Sequence, residues 1–146
     1  MKSVTAVGLG VLIALAIGVL VVFGILAPVF TRFFGLELAG STALPTALMV
    51  FAAAFSFYFG GMAASYRAPA RRRLHGTLVA PVAFAISPAI NVATGERMFP
   101  GLNTGRAVLL AAVFLAVSFG ASYVGARHGE TLYDYNQKSS PHHRRR

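Results

Sequence analysis

Residues 43–74 read ALPTALMVFAAAFSFYFGGMAASYRAPARRRL, a run without Asp, Glu, Lys or Arg until Arg67, followed by Pro69 and three consecutive arginines. As a helix, an uncharged run of this length crosses the ~30 Å hydrocarbon core of a bilayer. Proline beside clustered arginine then stops it in a polar turn. The same design recurs on both sides. Three hydrophilic breaks divide residues 1–126 into four segments, each about 20 to 29 residues long and free of formal charge.

The composition agrees. The chain has 146 residues, 56% hydrophobic, with a mean hydropathy of +0.67, far more apolar than a water-soluble domain of this size. Four spans and their loops use nearly all of it. The fold predicted is therefore all-α, a polytopic membrane protein with four transmembrane helices in an antiparallel bundle. The helices are expected at about 4–30, 43–65, 74–93 and 104–126, and a polar, basic tail over 127–146 is expected to be disordered. Lys2 ahead of the first run also suits a signal peptide. That run is too long for an h-region, however, and no small-x-small cleavage site follows it, so a retained helix is expected. Ser41 or Thr42 can cap the second helix, with Pro45 in its first turn.

Charge sets the orientation. An even number of spans places both termini and the second loop together, and that side carries Lys2, Arg67, Arg71, Arg72, Arg73, Arg127, Lys138, Arg144, Arg145 and Arg146. The opposite side carries Arg32, Arg97 and Arg106. Ten basic residues against three put both termini in the cytoplasm by the positive-inside rule. The same rule accounts for the net charge of +9 without nucleic acid, which is not an expected partner.

Lipid tails are as apolar as leucine, so helix association in a bilayer relies on close backbone approach through small residues. Residues four apart share a helix face. Each span offers such a row: Ala6, Gly10, Ala14 and Gly18; Ala52, Ser56, Gly60 and Ala64; Ala85, Ala89 and Ala93; Ala112, Ala116 and Gly120. These rows are expected to face inward. The third helix carries Pro81 and Pro88, which cannot donate to the carbonyls of Thr77 and Phe84. Kinks are expected there, with Thr77 and Ser87 near enough to help satisfy the freed carbonyls.

Several chemistries lack their residues. Coupled transport needs an ionisable group within the membrane, whereas Glu37 and Glu96 fall in loops and Glu130 and Asp134 in the tail. A small multidrug exporter, which also has four helices, is disfavoured for that reason. His75, His128, His142 and His143 all lie at or beyond the basic boundary, so intramembrane haem ligation is not expected. His142 and His143 lack a fixed geometry for metal. Cysteine is absent. Ser65, His75 and Glu130 make no convincing hydrolytic trio. No cofactor and no enzymatic activity are expected.

Two candidate sites remain. Arg67, Arg71, Arg72 and Arg73 would attract anionic phospholipids, at about 1 kcal/mol per charge. Ser56, Ser87, Asn91 and Ser118 would form a polar track if several copies enclosed a pore.

Gly60-Gly61-Met62-Ala63-Ala64, then Arg71 to Arg73, then Leu74-His75-Gly76 together resemble the second-to-third helix junction of small uncharacterised bacterial four-helix membrane proteins. In those proteins a glycine-rich helix end, a basic turn and a Leu-His-Gly start are joined. The resemblance covers about a fifth of the chain and implies the same topology in a bacterial cytoplasmic membrane, with no activity attached. The function expected is that of a non-enzymatic accessory or structural membrane component, self-associated or bound to a membrane partner subunit. The alternative is a passive oligomeric pore or carrier for a small solute.

Overall fold

The computed structural model describes residues 2–34, 44–94 and 103–139, and these are helical almost throughout, with no strand among them. Helix α1 (Lys2–Val21) continues through a π turn (Val22–Leu26), a short α turn (Ala27–Val29) and a second π turn (Phe30–Phe34). Then come α2 (Leu44–Arg67), α3 (Arg72–Thr77), α4 (Val79–Thr94) and α5 (Thr104–Ser139). Three helical stretches, Ser3–Arg32, Leu44–Arg67 and Thr104–Ser139, are long and apolar enough to cross a membrane. The loops carrying Glu37, Ser41, Thr42, Glu96 and Arg97 lie outside the described residues, as do His142, His143 and Arg144 to Arg146.

Proline explains the irregular backbone. Pro28 has no N–H to give to Gly24, and the ladder changes pitch around it. The Ala27 N–H reaches back five residues to Val22 and the Phe30 N–H only three, to Ala27. The Thr31 hydroxyl donates to the carbonyls of Ala27 and Pro28 at 3.0 and 3.1 Å. Expected near the end of the first helix, Pro28 instead reshapes a helix that runs on to Phe34. The third helix, expected over 74–93 with kinks at its prolines, is divided at Leu78, three residues before Pro81. Pro81 leaves the Thr77 carbonyl without its usual donor, and the helix breaks there. The Thr77 hydroxyl donates to the Arg73 carbonyl at 2.7 Å, one turn earlier than the carbonyl it was expected to serve.

The tail is the largest departure. Residues 127–139, expected to be disordered, prolong α5 without interruption. No proline interrupts this segment, and its inward face has partners on α2 and α3, described below.

The core lies where α1, α2 and α4 cross. A Cβ on Gly10 would stand 2.7 Å from the Gly60 carbonyl oxygen, and one on Gly60 2.6 Å from the Gly10 carbonyl oxygen and 2.8 Å from the Ala14 Cβ. Further along α1, a Cβ on Gly18 would meet the Ser56 hydroxyl, so the two helices run antiparallel. Ala6, Gly10, Ala14, Ala52, Ser56, Gly60 and Ala64 are all buried in this contact. Val79, fully buried, plugs the crossing from the start of α4 and packs with Val11, Ala14 and Ala64.

α2 and α5 run parallel and meet even more closely. A Cβ on Gly61, Gly125 or Gly129 would run into the carbonyl oxygen of Ser122, Tyr58 or Met62, respectively. The inward row of α5 is Ser118, Ser122, Gly125, Ala126 and Gly129. The row expected there, Ala112, Ala116 and Gly120, is exposed, and no heavy atom lies within 4 Å of a Cβ placed on Gly120. Ala85 is exposed as well, and the side chains of Ala89 and Ala93 lie outside the described residues. Ala85, Ala112 and Ala116 instead line an open apolar groove of about 520 Å³ between α4 and α5. Pro81, Phe84, Leu115 and Phe119 line it too, and their bulk holds the two helices apart where alanine alone would let them close.

Large apolar side chains point outward: Leu12, Leu15, Leu20 and Phe23 from α1, Phe51 from α2, and Val108 and Leu109 from α5. Small residues fill the inside. This inverts the arrangement of a water-soluble bundle. Replacing Gly10 or Gly60 by alanine should cost about 1–3 kcal/mol, the range for overpacking a tight contact. Gly120→Ala should be neutral or stabilising by up to about 1 kcal/mol from helix propensity. Unfolding midpoints in detergent check both, and equal effects at the three positions would refute this packing.

Candidate functional site at the basic end of the bundle

Polar chemistry concentrates at one end, where α2 stops, the chain reverses through 68–71, and α3 starts beside the middle of α5. The reversal is tight. The Ala68 N–H bonds the carbonyls of Ala64 and Ser65 at 3.0 and 3.3 Å, and Arg71 adopts a left-handed backbone with φ 45° and ψ 47°. That conformation costs a non-glycine residue roughly 1–2 kcal/mol. Beyond the turn, the Arg71 carbonyl accepts from the backbone N–H of His75 at 3.3 Å and lies 3.1 Å from its Nδ1.

Serine hydroxyls stitch the close contacts together. Ser65 Oγ donates to the Ala126 carbonyl and Ser122 Oγ to the Gly76 carbonyl, both at 2.7 Å and both buried. Each bond ties two helices through a main-chain oxygen, so neither hydroxyl is left for a substrate. Gly76 must be glycine for this, because a Cβ there would strike Ala126. Ser65, His75 and Glu130 are thus engaged separately, with Ala126, Arg71 and Arg73.

The arginines divide. Arg72 places its guanidinium 3.2 Å from the centroid of the Tyr133 ring, and its Nη1 donates to the carbonyls of Tyr66 at 2.9 Å and Ser65 at 3.5 Å. It closes the C-terminal end of α2, where carbonyls lack intrahelical donors. Arg73 pairs with Glu130 on α5. Arg67 and Arg71 are exposed. The extension of α5 completes the cluster: Tyr66 and Tyr133 meet edge to face with centroids 5.9 Å apart, and Asn136 Nδ2 donates to the Tyr66 hydroxyl at 3.0 Å. About two turns deeper, the Tyr58 hydroxyl lies 2.6 Å from Nδ1 of His128.

The polar track fares differently. Ser56 is buried in the α1–α2 contact, and its hydroxyl donates to the Ala52 carbonyl of its own helix at 2.7 Å. Ser118 is fully buried on α5, and among the described residues its hydroxyl has no partner. Ser87 is half-buried on α4, and the side chain of Asn91 lies outside the described residues. Ser56 faces α1 and Ser118 belongs to the inward row of α5, and no hydrogen bond joins them. The packing residues Gly10, Gly18, Gly60 and Ala64 stand along the α1–α2 contact, whereas Gly120 stands outside it. Among the described residues, no three His, Asp or Glu side chains converge to hold a metal ion.

No protein family, curated protein or solved structure matches this chain.

Reading the sequence as far as residue 126 left the Arg72–Tyr133 stack and the Tyr66, Tyr133 and Asn136 group unseen. A signal was present. Ser118, Ser122, Gly125, Gly129, Tyr133 and Asn136 follow one another at spacings of three or four, so the inward face of α5 runs straight past the polar boundary.

Two outcomes follow. A double-mutant cycle on Arg72→Met and Tyr133→Leu should give a coupling of about 0.5–2 kcal/mol, read as detergent unfolding midpoints, and additive effects would exclude the stack. Ser118→Ala removes a buried hydroxyl that no group satisfies, so it should raise stability by about 1 kcal/mol. A loss of that size would show that the hydroxyl has a partner.

Proposed function

We propose that this chain is an integral protein of a bacterial cytoplasmic membrane, with four helical passes and both termini in the cytoplasm, acting as a non-enzymatic accessory or structural component. The fourth pass is the broken pair α3–α4, flanked by the three stretches of membrane length. The observation that carries the functional reading is the closed interior. Glycine and alanine bring α1, α2 and α5 into backbone contact, and the buried hydroxyls of Ser56, Ser65 and Ser122 are bonded to main-chain carbonyls. Among the described residues Ser118 holds the one remaining buried serine hydroxyl, so these seams present no continuous polar path and no set of side chains placed to react together. The outward leucines, valines and phenylalanines support a lipid surround. The excess of arginine at the hairpin end supports a cytoplasmic position for that end.

The resemblance to small bacterial four-helix membrane proteins gains a physical content from the same contacts. Gly60, Gly61 and Gly76, which carry it, are all sites of close backbone approach. A shared packing scheme is therefore part of the proposal.

A reporter active only in the cytoplasm, fused after Ser139, should be active, and activity of a periplasm-specific reporter at that position would overturn the orientation. Purification from native membranes in mild detergent should recover a second protein in stoichiometric amount. A homo-oligomer that conducts solute in liposomes, and loses conduction on Asn91→Leu, would replace this reading with the pore.

A further inference from the structure

Four arginines lie within seven residues at the hairpin, and the fold uses only two of them. Arg72 is spent on the Tyr133 ring and the last carbonyls of α2, and Arg73 on Glu130. Arg67, Arg71 and Arg73 are all exposed, but among the described residues the guanidinium groups of Arg67 and Arg71 have no hydrogen bond, ion pair or ring contact. Of the two described carboxylates at this end, Glu130 is neutralised by Arg73, and Asp134 lies one turn further along α5. Among the described residues no carboxylate pairs with Arg67 or Arg71.

The backbone sharpens the contrast. Arg71 occupies the one positive-φ position of the described non-glycine residues, where glycine would sit without strain. Among the described residues the side chain there makes no hydrogen bond, ion pair or ring contact that would offset that strain. Below the hairpin, Leu74 and Leu78, four apart on one face, are both exposed. They lead from the arginines along the flank of the bundle, so a ligand with an anionic head and an apolar chain matches both parts of this surface. Arginine suits the head because its planar donors fit phosphate oxygens in pairs.

We propose that Arg67 and Arg71 bind the phosphate of an anionic phospholipid headgroup, with an acyl chain along Leu74 and Leu78, while Arg72 and Arg73 serve the fold alone. This rests on the membrane reading above and names the residues that meet the lipid. It narrows the four-arginine expectation to two.

The test uses the full chain in liposomes, with electron paramagnetic resonance of spin-labelled phosphatidylglycerol and phosphatidylcholine giving the relative association of each. The wild-type protein should prefer phosphatidylglycerol. Arg67→Gln and Arg71→Gly should each lower that preference about fivefold, the equivalent of about 1 kcal/mol per basic residue at the surface. Arg71→Gly should meanwhile hold or raise the unfolding midpoint, because the turn loses its strain. Arg72→Gln and Arg73→Gln should lower the midpoint and leave the preference within about twofold of wild type. Wild-type preference in Arg71→Gly, or its loss in Arg72→Gln or Arg73→Gln with the other two variants unaffected, would overturn the assignment. Equal stabilisation by inorganic phosphate in detergent lacking anionic lipid would identify a free-anion site and overturn the lipid as ligand. A chain that reconstitutes but shows no preference refutes this assignment alone, whereas a chain that cannot be reconstituted refutes the membrane reading beneath it.

Discussion

Backbone contact between helices is what the rest of this structure depends on. At Gly10 and Gly60, and again at Gly61, Gly125 and Gly129, one helix sets its carbonyl oxygens where a neighbour's Cβ would otherwise be. Approach this close brings Cα–H groups against carbonyls and multiplies dispersion contacts along the seam. In lipid such contacts replace the hydrophobic driving force that assembles bundles in water. Most larger side chains face outward, with Val11 and Phe57 among those that pack on the core. The largest fully buried side chain is a valine, Val79, and the other large buried ones are serines.

Buried serine turns this close packing into a directional one. A seam of alanine and glycine alone could slide, since neighbouring small residues look alike. Ser65 bonded to Ala126 and Ser122 bonded to Gly76 fix α5 against α2 and α3 at one register. Ser56 does something different by returning to its own helix at Ala52, which satisfies the hydroxyl and leaves the α1–α2 contact to shape alone. Arg72 extends the same logic beyond the apolar part, joining the end of α2 to Tyr133.

Much of this was legible in the amino-acid order. The uncharged runs give the helices, and the four-residue rows on α1 and α2 name the residues found in their contact. Pro81 points to the break at Leu78. The rows on the other two helices failed for a reason of neighbourhood: Ala85, Ala112 and Ala116 have the right spacing, yet Phe84 and Phe119 beside them keep α4 and α5 apart. Spacing within one helix carries no information about the bulk its neighbour presents. The tail was misread because polarity was taken as the end of order, although Tyr133 and Asn136 continue the inward spacing of Ser122 and Gly129. Which arginines have partners within the fold could not be read at all, since Arg71, Arg72 and Arg73 are identical in sequence and differ only in the turn that aims them.

Helix α5 is unbroken over 36 residues, which makes it about 54 Å long, and it is gripped near its midpoint, between Ser122 and Gly129. That grip is a fulcrum with an arm on each side. One arm borders the open space beside Pro81 and Phe84, and the other holds Tyr133 and Asn136 against the hairpin. The rod therefore has one arm beside open space and the other pinned to the hairpin, so freedom of movement is unequal at its two ends.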